Sequence, residues 1–434
     1  MLVEFKFSNY RSFKDESILS MEAVGLGNLK QSLLKYKNTN ILPSAAIYGK
    51  NGGGKSNVIR AFWLAVQFIR NAQRTQHEKA GIPVRPFLLD DYSSSQATSF
   101  EFTYISDDIK YVYGFSATKQ RILSEFLKCA PKGKSASVFS REDQTFTFPE
   151  NRDKRIKELI KGAVAPNQLF FAVACTMNFE PCIKAMKWFR EGIYFSQDYS
   201  DIPEQILENS EDQNILSAMV SYAKSADVGI QDIKFEISNN PIDDIDNFPN
   251  EMPDSLKRAL SDFVKAISET SVSAEASLKV GEVKATSFHK GISKNGDSQL
   301  FPLDIADESD GTRKLIAFSP AIEKALLTGG LFVVDEIERE LHPILVSYIV
   351  SKFQSHHTNK NNAQLIFTTH NTELLNLDIL RKDQIYFADK SRKTGISELY
   401  SASDFSTPTS ENIRKGYLLG KYGATPNVEP EVVE

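Results

Sequence analysis

The feature that most constrains this chain is a glycine-rich stretch at residues 49–56, GKNGGGKS. It fits the phosphate-loop pattern G-x-x-x-x-G-K-[ST]. The apolar run ILPSAAIY (41–48) precedes it, and NVIRAFWLAVQFIRN (57–71) follows with apolar residues on most faces. These flanks predict a buried strand before the loop and a buried helix after it. The expected fold class is therefore α/β with a P-loop NTPase core.

The glycine-rich loop predicts a site for nucleotide phosphates. Glycine lets backbone N–H groups turn inward without Cβ clashes, and the helix that begins near Ser56 adds the positive end of its dipole. We expect Lys55 to reach the β- and γ-phosphates as a catalytic residue, and Ser56 to ligate Mg²⁺. The residues predicted to bind the cofactor here are Gly49, Asn51, Gly52, Gly53, Gly54, Lys55, Ser56 and Asn57.

A second predicted element is the pair of acids that follows the apolar run LFVV (331–334). A buried strand ending at Asp335 would direct that carboxylate to the Mg²⁺ shell. Glu336 is then placed to act as the general base that activates water. The GTPase motif N-K-x-D has no match, since the nearest string, NKNN (359–362), lacks the aspartate. ATP is therefore the predicted nucleotide.

The order of apolar patterns predicts three segments. Short alternating runs between residues 98 and 128 predict an antiparallel β subdomain, and amphipathic patterns between 151 and 270 predict helices without sustained heptads. Strand patterns return at 331–335, 363–370 and 385–389. We predict an N-terminal ATPase lobe (1–150), a mainly helical insertion (151–274) and a C-terminal ATPase lobe (275–434).

Composition and charge limit the cellular location and the partners that we expect for the protein. The formal net charge is −5, so the chain as a whole is not a basic nucleic-acid binder, although a local basic face is compatible with that charge. The three cysteines, Cys129, Cys175 and Cys182, form no C-x-x-C pair, which disfavours a zinc site or disulfides. No apolar run approaches the roughly 20 residues of a membrane helix, and the N-terminus shows no signal-peptide pattern. We expect a cytoplasmic protein without a membrane partner.

The order GKNGGGKS, SDGTRKL (309–315), LFVVDE (331–336) and TTH (368–370) resembles the ABC-type ATPase heads of the RecF, SMC and OLD kind. The opening FSNYRSF (7–13) is similar to the N-F-R-S-F start of that group. The strings ESDGTRKL, DEIERELHP, RKDQIYFADK and ENIRKGYLLGKYGATP are similar to bacterial AAA family ATPases tied to abortive infection and phage defence, which include RloA-like proteins and the AriA-like ATPase subunit of PARIS systems.

The resemblance implies roles for residues outside the glycine-rich loop. Ser309 and Gly311 would form a signature motif that contacts the γ-phosphate of a nucleotide bound by a neighbouring chain. His370, which can hydrogen-bond the γ-phosphate from a strand end, would be the catalytic switch residue. Arg11 is implied to lie near the nucleotide and to help bind it.

The resemblance also implies an assembly and a function. One phosphate loop and one signature per chain imply a homodimer, or a higher assembly of such dimers, that sandwiches ATP. The expected function is an anti-phage ATPase that senses a phage protein or DNA and controls a separate effector, a nuclease or toxin. The alternative is a RecF-like ATPase of DNA repair or recombination that binds DNA directly. A nucleotide kinase is disfavoured by the signature and switch motifs.

Overall fold

The computed structural model describes residues 1–71, 81–131, 133–149, 153–196, 202–226, 229–241, 253, 255–258, 279–406 and 412–425. The chain forms two compact units. The first comprises Met1–Ser196 and Lys324–Glu434, and the second is Gln197–Glu323. Their bounds differ from the three predicted segments, because the helices between residues 154 and 191 belong to the first unit.

The described residues form both strands and helices, as the α/β prediction requires. The strands are β1 (Leu2–Ser8), β2 (Ser17–Ser20), β3 (Leu34–Tyr36), β4 (Thr39–Ile41), β5 (Ser44–Tyr48), β6 (Thr98–Ser106), β7 (Ile109–Ala117), β8 (Ile122–Ala130), β9 (Ala136–Glu142), β10 (Thr145–Thr147), β11 (Ile193–Phe195), β12 (Ile230–Pro241), β13 (Lys279–Ile292), β14 (Ser298–Asp304), β15 (Leu331–Val334), β16 (Gln364–Thr368), β17 (Ile385–Lys390) and β18 (Ser397–Ser401). The α-helices are α1 (Lys55–Asn71), α2 (Lys154–Ala163), α3 (Phe170–Thr176), α4 (Glu180–Glu191), α5 (Ile202–Glu208), α6 (Gln213–Ala226), α7 (Asp310–Thr328), α8 (Pro343–Gln354) and α9 (Ile413–Leu418).

A six-stranded sheet in the first unit, ordered β11-β15-β16-β5-β17-β18, positions the predicted site. All its strand pairs are parallel except β17 with β18. Every residue of β5, β15 and β16 is buried, which explains their continuous apolar runs. Because these three strands are parallel, their carboxyl ends meet at one sheet edge, and the loops that follow them come together there.

The first unit also contains a seven-stranded antiparallel sheet, ordered β10-β9-β8-β7-β6-β1-β2, and a two-stranded sheet of β3 and β4. The seven-stranded sheet confirms the predicted antiparallel β subdomain. Its aromatic face packs against the helix that follows the glycine-rich loop. The ring of Phe62 in α1 lies 5.1 Å from that of Phe5 and 5.5 Å from that of Phe102. This packing fixes α1, and with it the loop, against strands β1 and β6.

The second unit combines helices with a three-stranded antiparallel sheet, ordered β12-β13-β14. Its helix α6 falls on one of the predicted helical patterns, and another of these patterns forms α2 of the first unit. Strand β12, however, lies where helix was expected, because the alternation of Ile233, Phe235 and Ile237 with polar residues has the period of a strand. Most of a third predicted helix, SLKRALSDFVKAI (255–267), lies outside the described residues.

Candidate nucleotide-binding site

The glycine-rich loop joins β5 to α1 and opens onto a cavity of about 440 Å³. Glu336, two residues after the end of β15, and His370, two residues after the end of β16, line the same cavity. The structure therefore brings together segments that are about 300 residues apart in sequence. The cavity is lined by Asn51, Gly52, Gly54, Lys55, Ser56, Asn57, Arg60, Glu336 and His370.

Two glycines of the loop are required by their surroundings. Gly49 has a φ of 155°, and a Cβ atom there would lie 2.2 Å from the carbonyl oxygen of Ala388 in β17. Gly54 has a φ of 121°, and its Cβ would lie 2.9 Å from Ser397 Oγ and 3.1 Å from the ring of Phe13. The loop therefore runs against β17 and β18 at distances that a side chain would prevent.

We expect Gly49→Ala to lower the free energy of unfolding by about 3 kcal/mol, since the new methyl group meets backbone that cannot rotate away. Gly52→Ala is the matched control. Gly52 also has a positive φ, 74°, but a Cβ there meets nothing within 4 Å, so we expect a loss of only about 1 kcal/mol. Urea denaturation measures both. Equal losses would show that backbone strain, and not contact with Ala388, makes Gly49 necessary.

The side chain of Lys55 is held at the base of the cavity. Its ammonium group donates to the carbonyl oxygens of Gly49 (2.9 Å) and Lys50 (3.4 Å), and the residue is 5% exposed. Burial lowers the pKa of Lys55, while the carboxylates of Glu336 and Asp335 act in the opposite direction. A buried cation at the base of this cavity is suited to binding phosphate oxygens.

A chain of hydrogen bonds connects the loop to the two strands beside it. Ser56 Oγ donates to Asp335 Oδ1 (3.1 Å), and Thr368 Oγ1 donates to the same oxygen (2.5 Å). The backbone N–H of Glu336 donates to Thr368 Oγ1 (2.6 Å), and Glu336 has a φ of 50°. This left-handed conformation is uncommon outside glycine and occurs at functional sites. It leaves the Glu336 carboxylate exposed at the cavity.

The oxygen atoms of this chain fit Mg²⁺. A hydroxyl and a carboxylate are hard donors, and Mg²⁺ usually takes one or two protein ligands and completes its shell with phosphate and water. Ser56 and Asp335 offer such a pair within hydrogen-bond distance of each other. The two predicted magnesium ligands thus lie together, and their role in binding the metal stays a prediction.

His370 is linked to the site through a carboxylate that the sequence did not suggest. The backbone N–H of His370 donates a short hydrogen bond to Glu338 Oε1. Burial lowers the pKa of His370 and nearby Lys55 lowers it further, whereas Glu338, Glu336 and Asp335 raise it. Glu338 Oε2 is buried without a hydrogen-bond partner among the described residues. Because a buried, unpartnered carboxylate oxygen is costly, Glu338 is a candidate functional residue.

The N-terminal motif contacts the glycine-rich loop through a residue other than the predicted arginine. Asn57 Nδ2 donates to Ser12 Oγ (2.9 Å), which ties the start of α1 to this motif. Arg11 does not line the phosphate cavity. It lines a neighbouring cavity that shares Arg60 with the first. A role of Arg11 in nucleotide binding stays a prediction.

The predicted signature residues lie in the second unit, at the start of α7. Ser309 Oγ accepts the backbone N–H of Thr312 (3.2 Å), the contact of a helix N-cap, and Gly311 lies in the first turn. The preceding residue, Glu308, is buried and hydrogen-bonds Ser287 and His289 of β13. The start of α7 is thus held by the sheet of its own unit.

Sequence reasoning missed three residues of the site. Thr368 is fully buried, and its hydroxyl connects Asp335 to the backbone of Glu336. A polar residue at the end of the apolar run of β16, two positions before His370, was the available sequence signal. Ser397 Oγ donates to the carbonyl of Gly53 (2.9 Å), and no local pattern marks it. The third is Glu338, only two residues beyond the acid pair.

Comparisons with solved structures give distant likenesses in fold. The chain is 13% identical to the SmcHead bound to the C-winged helix domain of ScpA, with 92% of this chain and 97% of that chain covered and a TM-score of 0.39. It is 14% identical to the recombination mediator protein RecF-ATPrS in the RecFOR pathway, with 92% and 98% covered and a TM-score of 0.37. At such scores no property of either protein is transferred to this chain.

No curated protein sequence matches the chain. Among the helices that the structure describes, none combines the length and the hydropathy needed to span a bilayer.

A family model does match the chain, over residues 44–169 and 185–376. These ranges are well over half of the sequence, and they include the glycine-rich loop, the acid pair and His370. The matched ranges include every residue that lines the cavity described above. The chain therefore belongs to the AAA_21 family, described as "AAA domain, putative AbiEii toxin, Type IV TA system".

Proposed function

We propose that the protein binds Mg-ATP in the cavity between the glycine-rich loop and the ends of β15 and β16, and hydrolyses it to ADP and phosphate. The observation that carries this proposal is the convergence of three groups. They are the buried Lys55 ammonium, the Ser56–Asp335 pair, and the exposed carboxylate of Glu336, all at one edge of the parallel sheet.

The residues would divide the chemistry among them. Lys55 and the loop N–H groups would bind the β- and γ-phosphates and stabilise the charge that develops there. Ser56 and Asp335 would hold Mg²⁺, which supplies further charge neutralisation. Glu336 would orient a water molecule and take its proton as the oxygen attacks the γ-phosphorus. His370, which lines the cavity, would hydrogen-bond the γ-phosphate.

We further propose that two chains complete each site. The signature residues Ser309 and Gly311 lie at a helix N-terminus, where backbone N–H groups favour anions. In the proposed dimer they would contact the γ-phosphate bound by the other chain. ATP, with higher affinity for the closed dimer, would then shift the population towards it, and hydrolysis would reverse the shift.

This composite site predicts complementation between two inactive variants. Lys55→Ala removes the phosphate lysine but leaves the signature, and Ser309→Arg does the reverse. Each variant alone should hydrolyse little ATP, whereas an equal mixture should recover about a quarter of wild-type activity, because half of the dimers then hold one intact site. Phosphate release measures the rates. A mixture as inactive as its components, despite demonstrated subunit exchange, would contradict a shared site.

For the biological role, we propose an ATPase of anti-phage defence whose nucleotide state controls a separate effector. The family's description as a putative toxin of a toxin–antitoxin system supports a defence setting. The test is phage challenge of cells that carry the gene with its neighbours. Protection that is lost in Lys55→Ala, and that needs an adjacent gene, would support the role. The RecF-like alternative would be favoured if every phage plated equally well with and without the gene and if cells with Lys55→Ala were sensitive to DNA damage.

A further inference from the structure

A second cavity in the first unit, about 640 Å³ in volume, adjoins the nucleotide-binding cavity. The two share Arg60, which lies on α1 one turn beyond the glycine-rich loop. The walls of the second cavity come from the N-terminal motif, from the exposed side of α1 and from the segment 81–85. No role in the proposed hydrolysis accounts for it.

The second cavity is cationic. Four of its lining residues are Arg11, Arg60, Arg85 and Lys119, and no aspartate or glutamate lines it among the described residues. None of the four forms an ion pair with a described residue. This concentration of positive charge stands out in a chain whose net charge is −5. Such a cavity attracts a ligand that carries several negative charges.

The cations are carried on backbone that is fixed in place. The N–H of Arg11 donates to the carbonyl of Arg85 (2.7 Å), and the N–H of Ile82 donates to the carbonyl of Lys119 (2.8 Å). The guanidinium of Arg11 also lies over the ring of Tyr10, at 5.8 Å from its centroid. Backbone hydrogen bonds therefore join three segments that are distant in sequence around the cavity, and they bring Arg11, Arg85 and Lys119 together there.

An aromatic side chain lies beside these charges. Trp63 is 47% exposed although it is among the largest apolar side chains, and it lines the cavity on the outer face of α1. An exposed indole next to arginine and lysine is the combination with which proteins bind single-stranded nucleic acid. Bases stack on the ring while the cations pair with phosphates.

We propose that the second cavity binds a single strand of nucleic acid, with phosphates at Arg85 and Lys119 and a base on Trp63. The base and ribose of the ATP in the first cavity are a weaker match, because they are uncharged and would leave most of the four cations unpaired. The shared Arg60 would let the strand influence the nucleotide site. This inference does not depend on ATP hydrolysis. Experiment can therefore contradict the proposed hydrolysis or the proposed strand binding without contradicting the other.

The test is fluorescence anisotropy of a labelled dT20 strand, titrated without nucleotide over a range of salt concentrations. We expect the double variant Arg85→Ala/Lys119→Ala to bind at least tenfold more weakly, with a salt slope smaller by about 1.4, since each phosphate contact contributes about 0.7 for a single strand. Trp63→Ala should weaken binding about tenfold with the slope unchanged. Lys35→Ala, an exposed lysine of β3 in the same unit, is the control and should bind normally.

Three outcomes would overturn the inference. The first is no binding of dT20 by the wild-type chain at low salt. The second is an equal loss in Lys35→Ala, which would show a diffuse charge effect. The third is a double variant that binds dT20 normally but binds ATP more weakly, which would assign the cavity to the base end of ATP. Repeating the titration with Lys55→Ala separates the two proposals, because that variant should lose ATP and keep dT20.

Discussion

Glu336→Gln should hydrolyse ATP at least 10²-fold more slowly than the wild type while binding ATP with similar affinity. The substitution keeps the shape of the side chain and removes its basicity, and general-base catalysis contributes about 10²- to 10⁴-fold in rate. Glu336 makes its structural hydrogen bond to Thr368 through its backbone N–H, so the loop should keep its conformation. Single-turnover hydrolysis measures the effect on the chemical step directly.

The same variant should accumulate as an ATP-bound dimer, because hydrolysis is the step proposed to open it. Light scattering after gel filtration should then show about twice the 48.7 kDa of one chain when ATP and Mg²⁺ are present. Glu340→Gln is the matched control, since Glu340 is an exposed acid of the same loop that does not line the cavity. If Glu336→Gln turns over ATP as fast as Glu340→Gln, another group is the base.

The strands that carry the site could be predicted from sequence because their signals are local. A strand buried on both faces of a parallel sheet is a short apolar run. The runs SAAIY, LFVV and QLIFT therefore predicted β5, β15 and β16. The apolar run before Asp335 predicted that this carboxylate would reach the phosphate site of Lys55, whereas His370 was implied by the resemblance. The shared edge of parallel strands explains why the three residues converge. None of these steps needs information about distant contacts.

The remaining features depend on contacts between distant segments, which leave no local pattern. Ser397 touches the glycine-rich loop only because β18 is the sheet neighbour of β17, and β17 of β5. The close approach of Gly49 to Ala388 has the same origin. Strand β12 was missed for another reason, since its alternating pattern lies between amphipathic helical patterns that dominated the segment. Arg11 was implied by the resemblance alone, and its neighbour Ser12 accepts a hydrogen bond from Asn57 at the start of α1.

Glu338→Ala should lower kcat about 10²-fold, although Glu338 does not line the nucleotide cavity. Its carboxylate accepts the backbone N–H of His370, so its loss frees the segment that presents the imidazole to the γ-phosphate. A shift of about 1 Å in a positioned group costs a rate factor of this size. We therefore regard Glu338 as a positioning residue. If this is correct, Glu338→Ala should have less than a twofold effect on kcat in a His370→Ala background.

The variant Glu338→Gln distinguishes the positioning of His370 by Glu338 from the effect of the Glu338 charge. The amide oxygen can still accept the His370 N–H, so kcat at the optimum pH should stay within a few-fold of the wild type. The Glu338 carboxylate raises the pKa of His370, against burial and Lys55, which lower it, while Asp335 and Glu336 also raise it and are unchanged in the variant. Removing one negative charge should therefore lower the pKa of His370 and move its limb of the pH–rate profile to lower pH. Equal losses of kcat from Glu338→Ala in both backgrounds, accompanied by a lower melting temperature, would instead mean that Glu338 only stabilises the fold.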